Sequence, residues 1–204
     1  MTEDFDDVGK IIREMRKLNR ITICVGALKP VGGASEAHME MIAMANEFGV
    51  PHIRPRNGKW LTIPTKLAGA MGAREIDGLF KPRGKNFLAK KNGSGGFDIY
   101  FWLKKEVTVP KRSFLGDTFT EKIGTSWLDK ATVEISRVSV GEIRARECMD
   151  SIGRLMARDV QARIATMSTP PNAPATIERK GKDNPLIDTG ALYRSINWTE
   201  DAYE

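Results

Sequence analysis

Apolar side chains recur at every third or fourth position from Ala145 through Cys148, Met149, Ile152, Leu155, Met156 and Val160 to Ile164, and arginines occupy much of what lies between. That spacing draws one apolar stripe along a helix, predicted from about Val140 to Met167. At 1.5 Å per residue, some 26 residues make a rod of roughly 39 Å, enough to cross a whole sheet. A helix of this length with one apolar face needs a second layer to cover it, and the rest of the chain has to supply that layer.

The N-terminal half reads as short elements of the right kind. Phe5, Val8, Ile11, Ile12 and Met15 share a stripe, so an amphipathic helix is expected to about Leu18. The β-branched "RITICVGAL" follows as a short buried strand. Ser35 is placed to cap a helix through Met39, Ile42 and Met44 to Phe48, stopped by Gly49 and Pro51. "GKWLTIP" reads as a strand closed by Pro64, and the Ala- and Gly-rich stretch from Thr65 to Gly78 as a short helix. The clearest hairpin joins "KNFLAKK" to "GFDIYFWLKK" through "NGSGG", whose residues tolerate the positive φ of a tight reversal. Strict alternation would turn Phe97, Ile99, Phe101 and Leu103 to the core and Tyr100, Trp102 and Lys104 to the other side. "VTVPKRSFL" ends the β region at Pro110, and a helix weakened by Gly124 runs on to about Val138.

The segment "STPPNAPATIERKGKDNPLIDTG" is different, with four prolines and two glycines in 23 residues and one helical turn expected at Ala175 to Lys180. The sequence therefore predicts an α+β fold: a small antiparallel sheet with a long hairpin, packed on the long helix. Residues 1–168 would form a single domain bearing a basic hairpin at 81–105. Residues 169–204 would form an extended Pro-rich arm carrying a short capped helix.

Charge is unevenly placed. The formal net charge of the 204 residues is +6, yet the stretch from Lys81 to Arg112 alone holds nine bases against two acids, Asp98 and Glu106. Tyr100 and Trp102 stand there beside Lys90, Lys91 and Lys104, a combination suited to stacking on bases and neutralising phosphates. The same residues also suit a solvated hairpin whose aromatics pack on a neighbouring subunit. No run approaches the roughly 18 apolar residues of a membrane helix. "MTEDFDDVGK" is acidic and amphipathic, where a signal peptide is basic and then continuously apolar. Cys24 and Cys148 read as buried thiols of a reducing cytoplasm.

One short motif suggests chemistry. Asp188-Thr189-Gly190, within "LIDTGA", matches the active-site loop of aspartic proteases, in which two such loops share a proton. In the retroviral type a flap and a further strand come after that loop, and the fourteen residues that follow Gly190 are too few for them. Asp188 is expected instead to cap a short helix whose apolar side is Ala191, Leu192 and Ile196. His38 and His52 form no zinc spacing with the cysteines and no nucleophile–base pair, and "NGSGG" lacks the Lys-Ser/Thr ending of a phosphate loop. No catalytic residue, cofactor or metal is expected.

Several short motifs in a fixed order carry a resemblance. A helix ends in Glu47-Phe48-Gly49, and a strand ends in Pro110-Lys111-Arg112-Ser113-Phe114-Leu115 before the helical region. "PNAPATIERKG" (171–181) and "DTGALYRSI" (188–196) then follow. Between Ala45 and Trp198 this resembles the tail-completion and neck proteins of tailed bacteriophages, in particular the virion-morphogenesis type of Mu-like phages. Ser113 stands where many members have proline, and Asn172-Ala173 replaces a more usual Leu-Ser or Leu-Ala.

The resemblance implies a non-enzymatic virion part made in a bacterial host's cytoplasm. Its protomers would form a ring, most often of six, that ends the tail tube and docks it to the head connector and its adaptors. Genomic DNA would pass through the bore without sequence-specific binding. A dodecameric adaptor on the connector side is the related alternative, and a basic nucleic-acid-binding protein the alternative of another class. On the ring reading, the hairpin residues Lys90, Lys91, Tyr100, Trp102 and Lys104 meet a protein neighbour. Ile177, Leu186, Ile196 and Trp198 of the arm lie across the next subunit, adding a strand to its sheet.

Overall fold

A computed structural model describes residues 3–202, with side chains from 7 to 201. In chain order the elements are α1 (Glu3–Leu18), β1 (Ile21–Ala27), α2 (Glu36–Phe48), β2 (Val50–Ile53), β3 (Leu61–Pro64), β4 (Phe87–Lys91), β5 (Phe97–Lys104), β6 (Val107–Val109), α3 (Gly116–Lys122), α4 (Ser126–Ser139), α5 (Ala145–Thr166), α6 (Pro174–Lys180), α7 (Ala191–Ser195) and β7 (Ile196–Ala202). The fold is α+β, but the strands form three small antiparallel sheets, β1–β7, β2–β6 and β3–β5–β4, instead of one. Among the described residues no helix is long and apolar enough to cross a membrane.

The chain divides into two compact units, and the division does not fall at residue 168. The first unit holds Met1–Glu47, Arg112–Met167 and Leu186–Glu204, and the second holds Phe48–Lys111 and Ser168–Pro185.

In the first unit α5 is the central element, touching α1, α3, α4, α7, β1 and β7. Its apolar stripe is buried at Ala145, Cys148, Met149, Ile152, Ala157, Val160 and Ile164. Val160 and Ile164 share a core with Met39, Ala43, Phe114, Leu186, Leu192 and Ile196. Cys148 and Ile152 join Val138, with Met15 and Leu18 packed against them. The helix begins at Ala145, later than the apolar spacing predicts, because Gly141 takes a left-handed φ of 77° and ends α4. Two carboxylates then meet the new N-terminus: Glu147 accepts the Arg144 N–H at 2.8 Å and Glu14 of α1 accepts the Ala145 N–H at 2.9 Å. A hydrogen bond from Lys17, followed by that N–H, holds the Glu14 carboxyl below its usual range. The helix expected up to Val138 is broken at Gly124 into α3 and α4. On α1, Ile11, Met15 and Leu18 are half-buried while Val8 and Ile12 stay exposed, and the side chain of Phe5 lies outside the described residues.

The C-terminal segment is not an arm. β7 pairs with β1 of the same chain over its full length, from Ile21↔Ala202 to Ala27↔Ile196. The reason is apolar: Leu186, Leu192 and Ile196 are buried in the core cluster, and hydrophobic burial outweighs the freedom that the prolines upstream suggest. Trp198 lies so close to α5 that a Cβ built on Gly153 would sit 2.3 Å from its ring.

In the second unit Ala68, Ile76 and Phe101 form the core under the sheet β3–β5–β4. The stretch expected as a helix from Thr65 to Gly78 is a series of turns. The Thr65 hydroxyl donates to the carbonyls of Ile99 at 2.8 Å and Tyr100 at 3.1 Å, and left-handed Gly69 and Gly78 prevent a regular helix. β2 has no sequence signal, since it contains Pro51 and a left-handed His52 with φ 54°. It pairs with β6 on either side of these two residues, which is where a short sheet tolerates proline.

Candidate interaction surfaces

Two of the quoted motifs meet in one buried junction of the first unit. The Glu47 carboxylate is 7% exposed and accepts three hydrogen bonds: from the Ser113 hydroxyl at 2.6 Å, the Leu115 N–H at 2.8 Å and the Gly116 N–H at 2.9 Å. The two N–H groups are orphan donors at the start of α3, so Glu47 acts as its cap from a distant helix. The Arg112 N–H donates to the Asn46 carbonyl at 2.7 Å, and Arg112 itself is buried. Phe114 is fully buried in the core beside α5. Leu115, half-buried, packs against the same cluster. A proline at position 113 would have no donor for the hydrogen bond that the Ser113 hydroxyl makes. Within the second unit, Gly49 has a φ of 74°, and a Cβ there would come within 2.8 Å of the Lys111 nitrogen. Only glycine fits that turn. Phe48 points outward, 68% exposed, and Pro110 is half-buried.

The hairpin does not follow strict alternation. Leu88 pairs with Phe101 and Ala89 with Ile99, so Tyr100 is an extra residue in β5 and forms a bulge. Beyond it the faces exchange. Phe101 and Leu103 are buried as expected, but Phe97 is exposed and its ring sits 5.9 Å from Phe87, which in turn sits 5.9 Å from Trp102. Tyr100, expected beside Trp102, instead packs half-buried against the Ala68–Ile76–Phe101 core, with the Lys90 ammonium 5.6 Å from its ring centre. The aromatic surface of the hairpin is therefore Phe80, Phe87, Phe97 and Trp102, not Tyr100 with Trp102. Lys91 and Lys104 are exposed.

The residues expected to lie across a neighbour are mostly occupied at home. Leu186 and Ile196 are core, and Trp198 packs on that core and on Gly153. Ile177 is half-buried on α6. The N-cap position of the short helix is held by Gly190, not by Asp188. α7 begins after Gly190, which holds a φ of 80°, and the nearby Thr189 hydroxyl accepts the Ala191 N–H at 3.3 Å. Asp188 stands two residues before that glycine, with its side chain exposed.

The sequence signals missed a buried polar network between α4 and α5. Glu134, 2% exposed, accepts from Lys130, from Arg137 at 2.9 Å and from the Ser151 hydroxyl at 2.8 Å. The Lys130 hydrogen bond, joined by those of Ser151 and Arg137, holds its carboxyl below the usual range against the cost of burial. Burial, with the nearby Glu134 charge, pushes the Cys148 thiol up, which keeps it protonated and unreactive. The Glu134–Lys130 spacing of four is a readable helix pair, but its burial against α5 is not. Among the described residues no cluster of three or more His, Cys, Asp or Glu is placed to hold a metal ion. Comparison with protein-family models, with curated proteins and with solved structures gave no match.

Proposed function

We propose that the chain is a structural, non-enzymatic virion protein of a tailed bacteriophage, assembled as a ring in the neck that completes the tail tube and joins tail to head. The sequence resemblance supports this reading, and so does the way its separate motifs converge on the Glu47–Ser113 junction. The observation that carries it is the apolar surface that a single chain leaves uncovered. On α2, Met41, Met44 and Phe48 recur at helical spacing and are all more than half exposed. Phe119 on α3, Ile123 just after it and Leu128 on α4 are exposed as well. Monomeric proteins scatter such residues singly, whereas runs at helical spacing mark faces that a partner covers.

The tip of the hairpin is the part assigned to docking with head or tail. Lys91 is exposed there and Lys90 half-buried beside it, and acidic surfaces of another virion protein would meet this end of the hairpin, complementary charge guiding the encounter. Assembling virions with Lys90→Glu and Lys91→Glu tests the assignment. Filled heads and tails that accumulate unjoined are the expected result. Joined particles that fail only to retain or eject DNA would mean that the tip faces the bore.

A further inference from the structure

One face of the hairpin holds a shallow cleft of about 470 Å³ whose lining includes Trp60, Phe87 and Trp102 together with Lys85, Lys104 and Lys105. Its floor is aromatic. Phe87 and Trp102 meet edge to face, and the ammonium of Lys81 lies 5.8 Å from the Trp60 ring centre. Its rim is basic: Lys85, Lys104 and Lys105 are exposed, and no ion pair holds any of them among the described residues. An aromatic floor beneath several free ammonium groups fits a ligand with an apolar body and closely spaced negative charges.

The chain carries such a ligand itself. Glu3, Asp4, Asp6 and Asp7 put four acids into five residues at the start of α1, with Phe5 among them. Phe5, Val8 and Ile12 fall at i, i+3 and i+7 on a helix, one stripe. Val8 is 54% exposed and Ile12 45%, while the adjoining stripe of Met15 and Leu18 is spent on the Val138–Cys148–Ile152 cluster. Asp7 pairs with Lys10 at 3.2 Å, but both are exposed, and such a pair contributes little and exchanges readily.

We propose that the acidic first turns of α1 from one copy dock in the basic aromatic cleft on the hairpin of the next copy. This rests on the ring reading above and supplies its contact. Two different patches of one chain meeting head to tail make a heterologous interface, which closes into a ring when its rotation permits. The mode is a helix laid in a groove, with carboxylates on the lysine rim and the exposed stripe of α1 over Trp60, Phe87 and Trp102. Single-stranded nucleic acid stacking on the same rings is the competing occupant. It leaves the exposed stripe of α1 uncovered, whereas the contact between copies covers both surfaces at once.

Two charge-reversed forms of the full chain test this. One carries Lys85→Glu, Lys104→Glu and Lys105→Glu; the other carries Asp4→Lys, Asp6→Lys and Asp7→Lys. Circular dichroism and melting establish that both remain folded, and the mass of each assembly is read by native mass spectrometry. Each form alone is expected to be monomeric where the unaltered chain is oligomeric. An equimolar mixture is expected to regain the oligomer with the two forms alternating, because each then offers the other its opposite charge. If both reversed forms assemble like the unaltered chain, the cleft has another occupant and this inference is wrong while the ring stands. Loss of affinity for single-stranded DNA in the lysine-reversed form, with assembly intact, would assign the cleft to nucleic acid. An unaltered chain that is monomeric would remove the ring reading and this contact together.

Discussion

Gly153 shows how a single residue can be misread from sequence. In the middle of α5 a glycine looks like a defect, and by helix propensity Gly153→Ala should stabilise by about 1 kcal/mol. The structure reverses the sign, because the new Cβ would press into the ring of Trp198. Overpacking of that kind costs roughly 1–3 kcal/mol. Urea unfolding of Gly153→Ala is therefore expected to show a loss of stability, much of it recovered when Trp198→Leu makes room. A gain in the single variant would mean that β7 does not sit on α5. Glu47 invites a second comparison. Glu47→Ala removes the acceptor for three part-buried hydrogen bonds at the start of α3, a loss of roughly 2–3 kcal/mol in the same unfolding measurement. Glu47→Gln keeps one oxygen and should lose less. Equal losses would show that the capping geometry is not what the residue contributes. Glu47 and the Ser113-Phe114-Leu115 run are both visible as motifs, but nothing local in the chain says that one caps the other across 66 residues.

At the scale of elements, α4 and α5 are joined by Glu134 as well as by apolar packing. Its carboxyl titrates lower in the folded chain than in the unfolded one, so its contribution is fully present above the ordinary carboxylate range, near 4.5, and is lost as pH falls through the lower folded value. Melting followed from pH 7 down to pH 3 should decline more steeply for the unaltered chain than for Glu134→Gln, which has no charge to lose. Parallel declines would indicate that the Lys130 and Arg137 contacts are made equally well by the neutral side chain. The elements that were legible are those with a local period. α1, α2 and α5 announce themselves through spacing three and four, and the β4–β5 hairpin through its turn residues. The failures are non-local. β7 finds its partner in β1 at the far end of the chain, β2 exists only because β6 pairs around Pro51, and the bulge at Tyr100 turns over one end of a strand that reads as regular. Proline density described the segment from Ser168 to Pro185 and said nothing of the apolar residues beyond it, which belong to the core.

At the scale of the whole molecule, the candidate surfaces were only partly legible. The basic character of the hairpin is plain in the sequence, yet its aromatic face is set by the bulge, which brings Phe97 and Phe87 to Trp102 and withdraws Tyr100. The apolar residues of α2 and α4 carry helical spacing on more than one face, and periodicity alone cannot say which face the chain itself buries. What is left over after folding is apolar surface on several helices and segregated charge, the ingredients of assembly with copies and partners. The most direct test of that account is the mass of the purified full chain at micromolar concentration, by native mass spectrometry with electron microscopy of the same sample. The account predicts a closed ring of several protomers, six by the family resemblance, that survives dilution to the micromolar range. A protein that runs as a monomer there, with its helical faces accessible to a hydrophobic dye, would contradict it.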